Sequence, residues 1–125
     1  MIASNSNPSP IELYESRIAE ITDVCADPWF AEQLARYRAG DQAALRRICE
    51  SCLASVLAIA KVRWRPDSPG ALLDAVQEGN GALMRAAMRF SGNTADEFLR
   101  ELTAAVERRI ILFLQHPHIE RWPAG

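Results

Sequence analysis

Apolar residues recur every three or four positions along most of this chain, and no stretch reads convincingly as a strand. Ser9-Pro10-Ile11-Glu12 combines an N-cap serine, a proline at the first helical position and a glutamate three residues on, which predicts a helix start. Ile11, Tyr14, Ile18 and Ile21 then follow at helical spacing. Asp27-Pro28 repeats the cap-and-proline signal and opens a short helix through Trp29, Phe30, Leu34 and Tyr37, which Gly40 closes and after which Asp41 caps the next. A third helix is predicted from about Gln42 to Trp64. Leu45, Ile48, Cys52, Val56 and Ile59 form its main stripe, widened by Leu53, Leu57, Ala60 and Trp64, so it should be central and mostly buried. The prolines and glycine of "RPDSPG" make 65–70 a loop. A fourth helix spans about Ala71 to Phe90, with a break at Ser91-Gly92-Asn93. Thr94 to Glu97 forms another capping box, opening a fifth helix with Phe98, Leu102, Ala105, Val106, Ile110 and Phe113 inward. The expected fold is an all-α, single-domain bundle of about five helices over 9–115, with a disordered arm at 1–8 and a tail at 116–125.

The stretch "DAVQEGNGALM" (74–84) tests that pattern, because it sets polar and turn-type residues inside a helix. Leu72, Val76, Gly79, Leu83, Ala87 and Phe90 step by three or four straight across it, so the helix should pass through unbroken. Glycine costs about 1 kcal/mol relative to alanine inside a helix, so Gly79 implies close approach of a neighbouring helix. Asp74, Gln77, Glu78, Gly81 and Arg85 form a second, polar stripe, flanked by Asn80 and Met84.

Size and charge narrow the classes. The chain of 125 residues suits one domain, and 14 basic against 16 acidic residues give no general drive toward nucleic acid. "MIASNSNPSP" has neither the basic start nor the apolar run of a secretory signal, which places the protein in the cytoplasm with no membrane span. Three cysteines, an odd count, argue against a disulfide framework.

The stretches 39–61, "AGDQAALRRICESCLASVLAIAK", and 72–90, "LLDAVQEGNGALMRAAMRF", resemble the second conserved region of bacterial RNA polymerase sigma factors of the sigma-70 family. "SPIELYESRIAEI" is a weaker echo of the preceding helix, and "QEGN…LMRA" is the specific part of the likeness, which covers about Ser9 to Ile110. The resemblance implies transcription initiation or its regulation, through docking on the clamp helices of the largest subunit of core RNA polymerase. Carried over by position, Asp74, Gln77, Glu78, Asn80 and Met84 form the docking face, with Arg85 beside it. Acidic and amide groups on a rigid helix suit a basic coiled-coil partner.

The DNA-reading half of the pattern is lost. Phe98 matches a family aromatic, but Glu101, Ala104 and Ala105 stand where further rings are expected, and Arg108 and Ile111 replace the base-reading glutamine and threonine. Stacking rings contribute about 1–3 kcal/mol per base, so weak or no promoter melting is expected. Nothing after Gln115 resembles the family's helix-turn-helix, so either the sequence is a piece of a longer chain or the domain stands alone.

Other motifs carry a blander reading beside the sharper one. Cys49 and Cys52 have the spacing of a redox or zinc pair. They lie mid-helix near the buried stripe, and only Cys25, His116 or His118 could complete a metal site, so buried free thiols and no metal are expected. Lys61, Arg63, Trp64 and Arg65 suit either nucleic-acid contact or a cationic helix end; Arg108 and Arg109 could touch phosphate, with one of them pairing with Glu101 or Glu107. No nucleophile–base set, paired carboxylates or phosphate loop emerges, so neither an enzyme nor a cofactor is expected. The alternative function is a protein-interaction module that keeps the fold and pairs with itself or with another regulator. An exposed apolar patch of Leu99, Ala104 and their neighbours would favour it.

Overall fold

A computed structural model describes residues 7–19 and 26–115. Over these residues the chain is an all-helical bundle: α1 (Pro10–Ala19), α2 (Asp27–Arg38), α3 (Gln42–Glu50), α4 (Leu53–Arg63), α5 (Leu72–Arg89) and α6 (Ala95–Gln115). Ile21, Cys25, His116 and His118 lie outside the described residues, as do most of the expected arm and all of the tail.

The capping chemistry forms as the sequence implies at both box positions. The Ser9 backbone N–H donates to Glu12 Oε1 at 2.8 Å, and the Glu12 N–H to Ser9 Oγ at 3.3 Å. At α6 the Glu97 N–H donates to Thr94 Oγ1 at 3.1 Å, while Glu97 Oε1 accepts from the backbones of Asn93 and Thr94. Those two backbone donors, then the Thr94 hydroxyl, hold the Glu97 carboxyl below its ordinary range. Gly40 adopts φ +112°, and the N–H groups of Gly40 and Asp41 return to the carbonyls of Tyr37 and Arg36, the left-handed closure that favours glycine. Asp41 then accepts from the Ala43 N–H at 3.0 Å.

Two expectations need correction. The helix predicted over 42–64 is two helices, so the bundle has six rather than about five. At the junction the Ser51 hydroxyl donates to the Ile48 carbonyl at 2.6 Å, and the Cys52 N–H turns back to Cys49, three residues away instead of four. A short polar side chain that competes for a helix carbonyl loosens the ladder there. The stripe of Leu45, Ile48, Cys52 and Val56 still stays buried across the break. The second correction is at Asp27, which does not cap its own helix: Ala26 occupies the N-cap, and Asp27 Oδ1 accepts from the Ala95 N–H at 2.9 Å, capping α6 across space.

α5 and α6 are the longest helices and pack most extensively against each other. The short link between them makes them antiparallel, with Phe90 against Phe98 at one end and Gly70 beside Phe113 at the other. Phe30 of α2 completes an aromatic cluster with Phe90 and Phe98, ring centroids 5.2–6.0 Å apart. Ile48, Val56, Val76, Leu83, Leu102, Val106 and Ile110 fill the rest of the core. Ala105, expected inward, sits half-buried on the flank. α1 contributes no fully buried residue; Ile11, Tyr14 and Ile18 lie half-buried against the core, and Glu15 pairs with Lys61 of α4.

Candidate functional site

α5 runs without interruption through Gln77-Glu78-Gly79-Asn80. Its inner face explains Gly79: a Cβ there would sit 2.7 Å from Val56 Cγ1 and 2.9 Å from Ile110 Cδ1, so α4 and α6 close on bare backbone. The inner face is completed by Ala75, Val76, Ala82, Leu83 and Ala87, all buried.

The six residues predicted for docking divide by their surroundings. Gln77 and Arg85 are exposed, with no hydrogen-bond or ion-pair partner among the described residues. Asp74 is exposed, and its Oδ2 accepts from the Ala71 N–H at 3.3 Å, half of a capping box that Ala71 has no side-chain oxygen to complete. Met84 is 39% exposed and touches Cys49 Sγ at 3.9 Å. Glu78 lies on the α6 flank, where its Oε1 accepts from Arg109 Nε at 2.8 Å; the two side chains are only 24% and 20% exposed. Asn80 lies on the opposite flank under α1, its Nδ2 3.0 Å from the Tyr14 hydroxyl and its Oδ1 buried without a partner among the described residues. Gln77 and Met84 therefore form the open centre of the face, with Arg85 beside them on the α6 flank, two turns beyond Glu78, and Asn80 held at the other edge. Met88, 60% exposed and one turn beyond Met84, belongs to the same surface; its spacing of four from Met84 was the signal in the sequence.

No family model matches this chain, and no curated protein matches it in sequence.

The residues predicted for DNA contact do not gather into one surface. Lys61 pairs with Glu15, Arg63 with Glu107 at 2.6 Å, and Arg65 donates to the carbonyls of Val62 and Trp64 at 2.8 and 3.1 Å. Trp64 donates from Nε1 to the Gly70 carbonyl at 3.2 Å, tying the loop to the end of α4. Each of these groups has a partner within the domain, as cations at a helix end can. Arg109 pairs with Glu78 of α5, not with Glu101 or Glu107 of its own helix as expected, and Arg108 is exposed with no partner among the described residues.

Along α6, Phe98 is 1% exposed inside the aromatic cluster, and Phe113 is also buried. No ring of α6 is available for stacking. Glu101 and Ala104 are exposed, and Ala104 lies among Arg100, Glu101, Thr103 and Glu107. Leu99 packs half-buried against the core and lines a shallow depression together with Ala104, among the charged residues Asp96, Arg100 and Glu107.

Cys49 and Cys52 are both buried, with no disulfide between them. Burial, with Cys52 and Glu50 nearby, pushes the Cys49 thiol up to about 12, which leaves it protonated and a poor nucleophile. Among the described residues no three of His, Cys, Asp and Glu stand close enough to hold a metal ion, and no helix is long and apolar enough to cross a membrane.

Proposed function

We propose that this chain is a sigma-factor-like domain that docks on core RNA polymerase through the outward face of α5 and acts in transcription initiation or its regulation. The observation that carries the reading is the unbroken α5 rod. It buries Gly79 against α4 and α6 and leaves Gln77 and Met84 together on the opposite side, with Arg85 beside them. Amide, thioether and guanidinium groups on one rigid face suit a helical protein partner, because the side chains are placed before contact and little order is lost on binding. The likeness of "QEGN…LMRA" to the sigma-70 second region supplies the partner, the clamp helices of the largest polymerase subunit.

The outer face of α6 supports no promoter-opening role. Its aromatic residues are buried, and its exposed positions include Glu97 and Glu101, which repel phosphate. On this reading the domain engages polymerase without melting DNA itself. The test is retention of bacterial core RNA polymerase by the immobilised chain, with Gln77→Arg as the comparison. Gln77 is exposed with no partner among the described residues, and a longer charged side chain there obstructs close contact at the centre of the face. Retention by the native chain and its loss in Gln77→Arg support the reading; absent or equal retention refutes it.

A further inference from the structure

A groove of about 530 Å³ opens between the second half of α5 and the second half of α6, a volume within the ordinary range for small-molecule sites. Four arginines line it, Arg85 and Arg89 on α5 and Arg108 and Arg109 on α6, around a floor that includes Ala105 and Leu112. Arg109 alone has an ion-pair partner, Glu78; the other three have none among the described residues. On a chain of net charge −2, four arginines around one depression are not a diffuse basic surface. A bound anion would pair with the three arginines that have no partner, through charge-assisted hydrogen bonds.

We infer that this groove binds a nucleoside polyphosphate, its phosphates on the guanidiniums and its base on the apolar floor. Carboxylates bound the positive region: Glu101 borders it beside Arg89 and Arg108, and Glu78 closes on Arg109. A long phosphodiester strand leaving the groove past Arg89 and Arg108 meets Glu101, whereas a compact polyphosphate does not. The floor gives a bare phosphate nothing and gives a base an apolar surface, with planar guanidiniums available to stack on it. The groove shares Arg85 with the docking face, but its argument does not rest on the polymerase reading.

The experiment is isothermal titration calorimetry of the full chain with ATP, inorganic tripolyphosphate and a short single-stranded oligonucleotide. The expected result is a single ATP site, with tripolyphosphate weaker by about tenfold because it leaves the floor empty. Arg89→Ala/Arg108→Ala should weaken ATP binding by about tenfold or more, a loss of two charge-assisted contacts. Arg100→Ala, outside the groove on the same helix, should leave affinity within about twofold. Helical circular dichroism confirms that each variant remains folded. No ATP binding at millimolar concentration overturns the inference, as does an equal loss in Arg100→Ala. Tripolyphosphate binding as tightly as ATP removes the base from the site, and oligonucleotide binding more tightly through the same arginines makes the groove a nucleic-acid surface instead.

Discussion

Gly79 and Gly81 stand two residues apart on α5 and meet opposite surroundings. At Gly79 an added methyl would collide with Val56 and Ile110, whereas at Gly81 it would meet only the flexible end of Arg85. The same residue type answers a packing demand on one side of the helix and leaves room for a mobile cation on the other. The inner side is specified by shape. The outer side is specified by which polar groups have been left without a partner, and that difference separates a core face from a candidate docking face.

The largest effect should come from filling the inner side. Gly79→Leu is expected to destabilise the bundle by about 3 kcal/mol or more, since overpacking costs about 1–3 kcal/mol even for small additions. Gly79→Ala should still lower stability, because the clash exceeds the roughly 1 kcal/mol that alanine gains in a helix. Gly81→Ala should do the reverse and raise stability by up to about 1 kcal/mol, seen as a higher thermal midpoint. Equal shifts for the two alanine variants would erase the distinction between the faces.

The edges of the outer face come next. Tyr14→Phe removes the only hydroxyl that meets the Asn80 amide, and should cost about 1 kcal/mol in urea unfolding, the ordinary worth of one hydrogen bond. It also frees Asn80, so polymerase binding should be unchanged or tighter; weaker binding would mean that α1 supports the face and does not restrain it. The smallest effect is at the start of α6. Because the folded Glu97 carboxyl is held below its ordinary range, its contribution is present above the unfolded glutamate range and is lost as pH falls through the folded value. The stability difference between the native chain and Glu97→Gln should therefore vanish on acidification, and a difference that persists in acid would point to packing instead.

Much of this architecture was legible in the chain because the signals were local. Capping boxes at Ser9 and Thr94, the glycine stop at Gly40 and the three-four stripe of α5 are each decided within a few residues. The break at Ser51 was not, since the apolar stripe continues through it and only the Ser51 hydroxyl on the Ile48 carbonyl reveals the turn. Asp27 misled for a related reason: it stands where an N-cap belongs, but its carboxylate is taken by a helix 68 residues away. The candidate face was legible as a stripe, and its edges were not. Sequence spacing places Glu78 and Asn80 beside Gln77, but only packing brings Arg109 to the first and Tyr14 to the second.

The affinity of the chain for bacterial core RNA polymerase, measured for the native sequence, for Gln77→Arg and for Glu101→Lys on the outer side of α6, tests the central claim most directly. The docking reading predicts saturable binding that Gln77→Arg weakens by about tenfold or more and that Glu101→Lys leaves nearly unchanged. Absence of binding, or loss in both variants alike, would contradict it.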